Sequence, residues 1–188
     1  MVSSAPFLCF EWTHGATYRV QTHLIGTYNI TNMLAAITIG LRFGVSPEQI
    51  CHALEHYIPS NNRSQLTVTQ RNSLIVDAYN ANPTSMKAAV DNFAFMQVDH
   101  KMAILGDMRE LGAASHEEHQ RIADHIASLG LKDVWLVGEE FAHTDTAYRK
   151  FADVEEVKQA LADNDIRDHY ILIKGSNGIR LYELPPLL

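Results

Sequence analysis

The amino-acid sequence predicts an α/β fold, in which a Rossmann-like three-layer domain with a mostly parallel sheet follows a shorter segment of different character. Three observations support this prediction. From residue 73 onwards, short β-branched runs alternate with amphipathic helical stretches, the loops between them are short, and several strands end in polar residues or glycine. Strand–helix alternation of this kind is typical of a parallel sheet that carries helices on both faces.

Residues 1–60 show a different pattern, which predicts two strands followed by helices. The apolar and aromatic runs at 7–12 and 18–24 are separated by a short polar turn, as in a strand pair. Apolar residues at helical spacing predict the first helix over 29–43, with Gly44 as the residue that ends it.

A second helix is expected to begin after Ser46, because Ser46 and Gln49 have the spacing of a capping box. The segment 59–62 reads Pro-Ser-Asn-Asn, which is turn chemistry and the best candidate for a linker in this chain. The first sixty residues are too few to be expected to bury a core of their own. We therefore assign 1–61 to the tail of a larger domain and 62–188 to a complete one.

The elements after the linker alternate regularly between the two types. Strands are predicted near 73–77, 102–106, 133–137 and 169–174, and helices near 83–97, 115–129 and 154–163. Helix boundaries are predicted by Asn82 before Pro83, by the capping-box pairs Ser115 with Glu118 and Asp153 with Glu156, and by Gly130.

Composition excludes several classes of function. The chain has 188 residues, 46% of them hydrophobic, and a net charge of −7, which argues against nucleic acid as the main partner. No apolar run approaches the roughly 20 residues that span a bilayer, so no membrane partner is expected. Cys9 and Cys51 lie far apart in the sequence, which suits free thiols in a reducing cytoplasm.

Polar residues follow three of the predicted strands. Asp77 ends the first, Gly106-Asp107 the second, and Lys174-Gly175-Ser176 the third. Because ligands of open α/β sheets bind at the carboxyl ends of the strands, this set predicts a site for a phosphate, ribose or carboxylate group. Gly175 is expected to allow close backbone approach and Gly178 unusual dihedral angles. A purely structural role remains open, in which Asp77 caps its loop and Lys174 is an ordinary surface lysine.

Six blocks of residues, in this order and spacing, resemble the carboxyl-terminal part of the Mur ligase family. They are LIGTYNITNMLAA (24–36), NRSQ (62–65), DAYNANPTSM (77–86), ILGDMRELG (104–112), SHEEH (115–119) and KGS (174–176). The blocks YNANP and GDMRELG are similar to those of the branch that adds a D-Ala-D-Ala dipeptide. The resemblance implies three domains in the whole protein: one for a UDP-sugar substrate, one for ATP, and a Rossmann-like domain that closes over the site.

The resemblance also implies roles for residues near the nucleotide. Tyr28, Asn29 and Asn32 are similar to the family's adenine-binding element, and an amide suits that role because it both donates and accepts hydrogen bonds. Arg63 resembles the hinge arginine that reaches the ribose and phosphates. Asp77 resembles the acid that holds ribose hydroxyls. On this basis 1–61 is the tail of the ATP-binding domain.

The implied reaction is ATP-dependent amide formation through an acyl phosphate, with ATP and Mg²⁺ as cofactors. The implied substrates are UDP-N-acetylmuramoyl-tripeptide and D-Ala-D-Ala, and a monomer is expected. The residues expected on loops facing the dipeptide and the reacting centre are Asn80, Asn82, Asp107, Lys174 and Ser176. Lys174 is the candidate for charge stabilisation, because such chemistry depends on positioning and charge neutralisation.

Two departures from the family pattern qualify this hypothesis. Asn177 stands where the family usually has Arg after Lys-Gly-Ser, which puts a phosphate contact there in doubt. No G-x-x-x-x-G-K-[ST] loop occurs in the sequence, so the phosphate-binding backbone and the Mg²⁺ ligands are expected elsewhere. We therefore expect the chain to be a carboxyl-terminal piece of such a ligase, without ligase activity on its own.

Other functional hypotheses have weaker support. The pair His116 and His119 lacks H-E-x-x-H spacing, and His52 with His56 fits a solvated helix face better than a metal site. A non-catalytic module that binds a nucleotide or dipeptide fits the strand-end residues almost as well as a ligase. A hydrolase with Asp77 as nucleophile fits less well, because no second carboxylate follows in the loop.

Overall fold

The computed structural model describes residues 6–59 and 65–188, which fall into two compact units within residues 1–60 and 61–188. The first unit contains an antiparallel strand pair, β1 (Cys9–His14) and β2 (Ala16–Gln21). A 3₁₀ turn at Thr27–Asn29 then leads into two helices, α1 (Ile30–Arg42) and α2 (Pro47–His56). The predicted elements of this segment are confirmed, with both strands shifted towards the turn that joins them.

The first unit has a small core of its own, contrary to expectation. Its buried apolar side chains come from both strands and both helices: Leu8, Phe10, Trp12, Val20, Leu24, Met33, Ile37, Ile50 and Leu54. Other apolar side chains of the same unit stay open to solvent, with Phe43 83%, Ile58 69% and Ile39 59% exposed. The sequence estimate was wrong because the hairpin closes over the apolar faces of the two helices.

The second unit is built on a six-stranded sheet. Its strands are β3 (Gln65–Val68), β4 (Ser73–Asp77), β5 (Lys101–Gly106), β6 (Asp133–Val137), β7 (Arg149–Phe151) and β8 (Tyr170–Lys174). The spatial order is β3-β4-β8-β5-β6-β7, and only the β3–β4 pair is antiparallel. The mostly parallel sheet is confirmed; the two short edge strands β3 and β7 were not predicted.

Helices α3 (Pro83–Phe95), α4 (Ser115–Ser128), α5 (Glu139–Ala142) and α6 (Val154–Ala162) connect these strands. Leu74, Val76, Ile171 and Ile173 share one core with apolar residues of α6. The intervening strand positions, Ile75 and Leu172 among them, are also buried. Because successive strand residues point to opposite faces, both faces of the sheet are covered, as in a three-layer fold.

The helix caps agree with the sequence at most positions. Ser46 forms its capping box with Gln49, Asn82 caps α3 with Pro83 in the first turn, and Gly44 and Gly130 have positive φ after α1 and α4. Asp153 accepts from two backbone N–H groups of α6, while Glu156 bonds to Ala152 rather than to the cap itself.

The predicted capping box at Ser115 is wrong. Ser115 is already the first residue of α4, and its side chain makes no cap hydrogen bond. Its hydroxyl and carbonyl instead face Nδ1 of His119, at 3.4 and 2.7 Å. The SHEEH block thus forms the start of α4 without a side-chain cap, and its His119 is fully buried and packs inside the domain.

Candidate functional site

Three polar loops meet at the carboxyl edge of the sheet. Strand β8 lies between β4 and β5, and Lys174 stands beside Asp77 on one side and Leu105 on the other. The loops that follow these strands therefore start next to one another, although they are up to about a hundred residues apart in the chain. The strand order thus brings together the three clusters that the sequence shows separately.

Asp77 and Lys174 form a buried ion pair at this edge. Lys174 Nζ lies 2.6 Å from Asp77 Oδ2, and the two side chains are 1% and 15% exposed. The ammonium also donates to the backbone carbonyl of Asn80 at 3.3 Å. Lys174 is therefore enclosed between two strand ends and is not an ordinary surface lysine.

The loop after β4 presents two exposed amide side chains. Asn80 accepts a hydrogen bond from the N–H of Ala81 at 2.9 Å, which shapes its own loop. Asn82 accepts from Ser85 at 2.8 Å and so fixes the start of α3. Both residues stay open to solvent, and their NH₂ groups face away from these bonds with no acceptor among the described residues.

Asp107 lies behind the edge rather than on it. Its side chain is buried, and its two oxygens accept from the N–H groups of Glu140 and Phe141 at 3.0 and 2.9 Å. Gly138 has φ 121°, and a Cβ there would lie 2.3 Å from the Asp107 carboxyl carbon. Asp107 thus ties the loop after β5 to the start of α5, and only glycine fits beside it.

Successive backbone N–H groups hold the loop after β5. Met108 donates to His119 Nε2 and Arg109 to Ser176 Oγ, both at 2.9 Å, while Ser176 donates to Asp107 O at 3.1 Å. His119 Nε2 therefore carries no proton, and Nδ1–H donates to Ser115 O. The 3.7 Å separation between His119 Nε2 and Asp107 Oδ1 is too long for a hydrogen bond.

Glycines at this edge serve the packing of loops. A Cβ on Gly175 would lie 3.0 Å from the Cα of Gly106, so the close approach expected at Gly175 is to a neighbouring loop. The unusual dihedral angles predicted for Gly178 are not observed; Arg180 has the positive φ, at 63°.

A cleft of about 510 Å³ opens between the three loops. Its lining includes Tyr79, Asn80, Arg109, Ser176 and Asn177. A second cleft, of about 540 Å³, lies between the loop after β5 and the starts of α5 and α6. Arg109 and Glu110 line both clefts. The sequence reasoning did not select Arg109, although it lies inside the GDMRELG block two residues after Asp107.

The first unit holds the predicted adenine-binding residues. Asn29 is buried and donates to Ile25 O at 2.9 Å, while its Oδ1 accepts from Asn32 Nδ2 at 3.0 Å. Asn32 is exposed, so its amide oxygen and second N–H remain available to a ligand. The ring of Tyr28 lies over Gly26, where a Cβ would come within 2.2 Å of it. Arg63, the predicted hinge residue, lies outside the described residues.

Within residues 6–59 and 65–188, no cluster of three His, Cys, Asp or Glu side chains could hold a metal ion. Cys9 and Cys51 are both free thiols. No helix in this part of the chain has the length and apolar character needed to cross a membrane.

Comparison with known proteins identifies the family to which a chain with this fold and this set of strand-end residues belongs. The family model described as "Mur ligase, glutamate ligase domain" matches residues 62–177, and the chain therefore belongs to the Mur ligase family. This confirms the resemblance found in the six sequence blocks.

Several of the similar proteins bear the name of one ligase of that family. The chain is 31% identical to the UDP-N-acetylmuramoyl-tripeptide–D-alanyl-D-alanine ligase of Treponema pallidum and 30% identical to that of Bacillus subtilis, with 90% and 86% of the chain covered. A crystal structure of MurF from Acinetobacter baumannii superposes with a TM-score of 0.83 at 27% identity, over 97% of this chain and 42% of that one. The chain spans 39% and 38% of the lengths of the two curated relatives.

Proposed function

We propose that this chain is the carboxyl-terminal part of an ATP-dependent amide ligase that adds D-Ala-D-Ala to UDP-N-acetylmuramoyl-tripeptide in peptidoglycan precursor synthesis. The observation that carries the proposal is the meeting of the three loops at one sheet edge, in a chain whose relatives bear the name of that ligase. Residues 1–61 are then the tail of the ATP-binding domain, and 62–188 the domain that closes over the site.

The proposed reaction forms an acyl phosphate on the tripeptide carboxylate at the expense of ATP, and the dipeptide amine then displaces phosphate. The residues of this chain would act mainly by positioning, which is how proteins accelerate phosphoryl transfer and the attack that follows. Asn80, Asn82 and Ser176 lie on the loops that border the cleft, where the dipeptide would bind.

The nucleotide roles fit the chemistry of the residues present. Asn32 offers both a donor and an acceptor to an adenine edge, with Asn29 fixing its orientation. Asp77 uses Oδ2 for Lys174 and keeps Oδ1 for a ribose hydroxyl. Lys174 then acts by holding Asp77 in place, since its ammonium is buried between Asp77 and Asn80.

For Mg²⁺, the described residues offer no group of carboxylates that fits the ion. Its ligands, and the phosphate-binding loop, belong in this proposal to the part of the ligase that the relatives contain and this chain does not. We accordingly expect the purified chain to turn over no ATP.

The test begins with the DNA upstream of the codon for Met1. An in-frame extension of several hundred codons that encodes a Gly-Lys-Thr or Gly-Lys-Ser loop supports the ligase. The extended protein should then release ADP and phosphate and form UDP-N-acetylmuramoyl-pentapeptide, while the 188-residue chain should not. Turnover of ATP by the 188-residue chain alone would contradict the prediction that it is inactive without the rest of the ligase. A stop codon and ribosome-binding site just before Met1 would contradict the ligase proposal and favour a non-catalytic binding module.

A further inference from the structure

Arg109 differs from the other arginines of the second unit. Among described residues 65–188, its guanidinium alone has neither a hydrogen-bond acceptor nor an aromatic ring beside it. The other arginines there each have such a partner: Arg71, Arg121, Arg149, Arg167 and Arg180. The side chain of Arg109 is exposed on the wall of the cleft, with Nε 3.3 Å from the position that a Cβ on Gly178 would take.

The backbone beneath this free guanidinium is held firmly. Arg109 N–H donates to Ser176 Oγ, and the preceding N–H, that of Met108, donates to the buried His119. The next residue, Glu110, has φ 69°, a conformation that costs a non-glycine residue energy and persists only where its surroundings enforce it. The loop therefore fixes the backbone from which the Arg109 side chain extends along the wall of the cleft.

The charges of the cleft select the kind of anion that fits. Arg109 and Glu110 are its only charged lining residues in the described part of the chain, so the lining is electrically balanced. Balanced walls do not favour a polyanion such as a nucleotide triphosphate. They suit a small zwitterion with one carboxylate and one amino group, and about 510 Å³ lies within the range of small-molecule sites.

We propose that Arg109 binds the terminal carboxylate of the incoming dipeptide in this cleft. The planar guanidinium would take both carboxylate oxygens through two parallel hydrogen bonds, which fixes the orientation of the dipeptide as well as its position. Asn80 and Ser176, on the facing loops, then border the peptide backbone. This inference rests on the proposed ligase function and assigns to it a residue that determines substrate specificity.

The experiment is a titration of the ¹⁵N-labelled 188-residue chain, followed through the backbone amides of Asn80, Ser176 and Gly178. The ligands are D-Ala-D-Ala, its carboxyl-terminal amide and inorganic phosphate, at equal ionic strength. Wild type should bind the free dipeptide about tenfold more tightly than the amide, since a charge-assisted bidentate pair contributes at least that much. Arg109→Met should bind both forms equally and weakly. Lys132→Met, which removes an exposed cation after α4, should keep the wild-type preference.

Each other outcome overturns the inference. If Arg109→Met keeps the preference for the free carboxylate, another group binds it, while the ligase proposal stands because the dipeptide still binds. If phosphate shifts the same amides with the same dependence on Arg109 and displaces the dipeptide, the anion is a phosphate. If wild type shows no response to millimolar dipeptide at these amides, the cleft is not its site. The ligase proposal is then judged by the extended protein alone.

Discussion

Two lysine–aspartate pairs of equal length lie in very different surroundings. Lys174 and Asp77 are 2.6 Å apart and nearly buried, whereas Lys87 and Asp91 are also 2.6 Å apart but 55% and 30% exposed. Breaking a buried pair leaves a charge without solvent or partner, while breaking an exposed pair returns both charges to water. Burial, not distance, therefore decides what each lysine contributes to stability.

Lys174→Met is expected to lower the free energy of unfolding by about 3 kcal/mol, because Asp77 is left as an unpaired, largely buried carboxylate. The matched control, Lys87→Met, should cost less than about 0.5 kcal/mol. Urea unfolding at pH 7 measures both. Adding Asp77→Asn to Lys174→Met should restore part of the loss, and equal losses in the two single variants would contradict the role of burial.

Gly138 is a second position at which a single substitution is expected to disturb the carboxyl edge of the sheet. Ala at 138 would bring its Cβ to 2.3 Å from the Asp107 carboxyl carbon, at a backbone φ of 121°. We expect Gly138→Ala to destabilise the chain by about 3 kcal/mol and to shift the amides of Glu140 and Phe141. Gly130→Ala is the control, since φ is 72° there and nothing lies near the added methyl group; it should cost about 1 kcal/mol. Thermal unfolding and amide spectra distinguish the two.

At the scale of elements, helices α3 and α4 are joined by a polar contact. Asp91 of α3 lies 2.5 Å from His125 Nε2 of α4 and also binds Lys87. Partial burial alone would raise the pKa of Asp91, but hydrogen bonds from Lys87 and His125 outweigh it and hold that pKa below its usual value of 3.8. The carboxylate form of Asp91 is thus favoured in the folded state.

This lowered pKa fixes the sign of a pH dependence. The stabilisation by Asp91 is fully present above the pKa of the unfolded chain and is lost as pH falls through the lower, folded-state pKa. Asp91→Asn should therefore cost about 1 kcal/mol at pH 7, and its difference from wild type should shrink as pH falls below 3.8. Urea unfolding from pH 7 to pH 2.5, with the exposed Asp133→Asn as control, measures it. A difference that is constant over this range would contradict the assignment.

At the scale of the whole molecule, the two units differ in how complete their cores are. The second unit buries apolar residues on both faces of its sheet, with Leu74, Ile104 and Ile173 essentially inaccessible. The first buries a smaller set and leaves Phe43 and Ile58 83% and 69% exposed, while the second, larger unit also exposes Val68 and Phe95, at 72% and 71%. Large exposed apolar groups on a small unit are typical of a surface that another part of a protein covers.

A chain of residues 61–188 alone is expected to fold, with a single cooperative urea transition and dispersed amide spectra, because its core needs no residue of the first unit. The complementary chain of residues 1–60 should lack such a transition, since its core is too small to offset the entropy of ordering it. Cooperative unfolding of the shorter chain, or loss of it in the longer one, would show that this division of stability is wrong.

The local chemistry of the sequence determined most of the elements. Asn82 before Pro83, and Ser46 with Gln49, predicted helix starts because a cap is a contact between residues three apart. Continuous apolar runs likewise predicted the central strands, since burial on both faces of the sheet demands them. The short edge strands β3 and β7 were missed because their residues carry no such pattern and are ordered by pairing with distant neighbours.

Only the tertiary structure decided which groups the candidate side chains contact. The sequence marked Asp77, Asp107 and Lys174 as strand-end residues, but the insertion of β8 between β4 and β5 made Asp77 and Lys174 partners. Asp107 instead points inward, where its carboxylate accepts hydrogen bonds from backbone N–H groups at the start of α5. The Arg109 guanidinium is free in the cleft because, among the described residues, none places an acceptor against it. Motif spacing records which groups a chain carries, whereas contacts between groups far apart in sequence depend on strand order and side-chain packing.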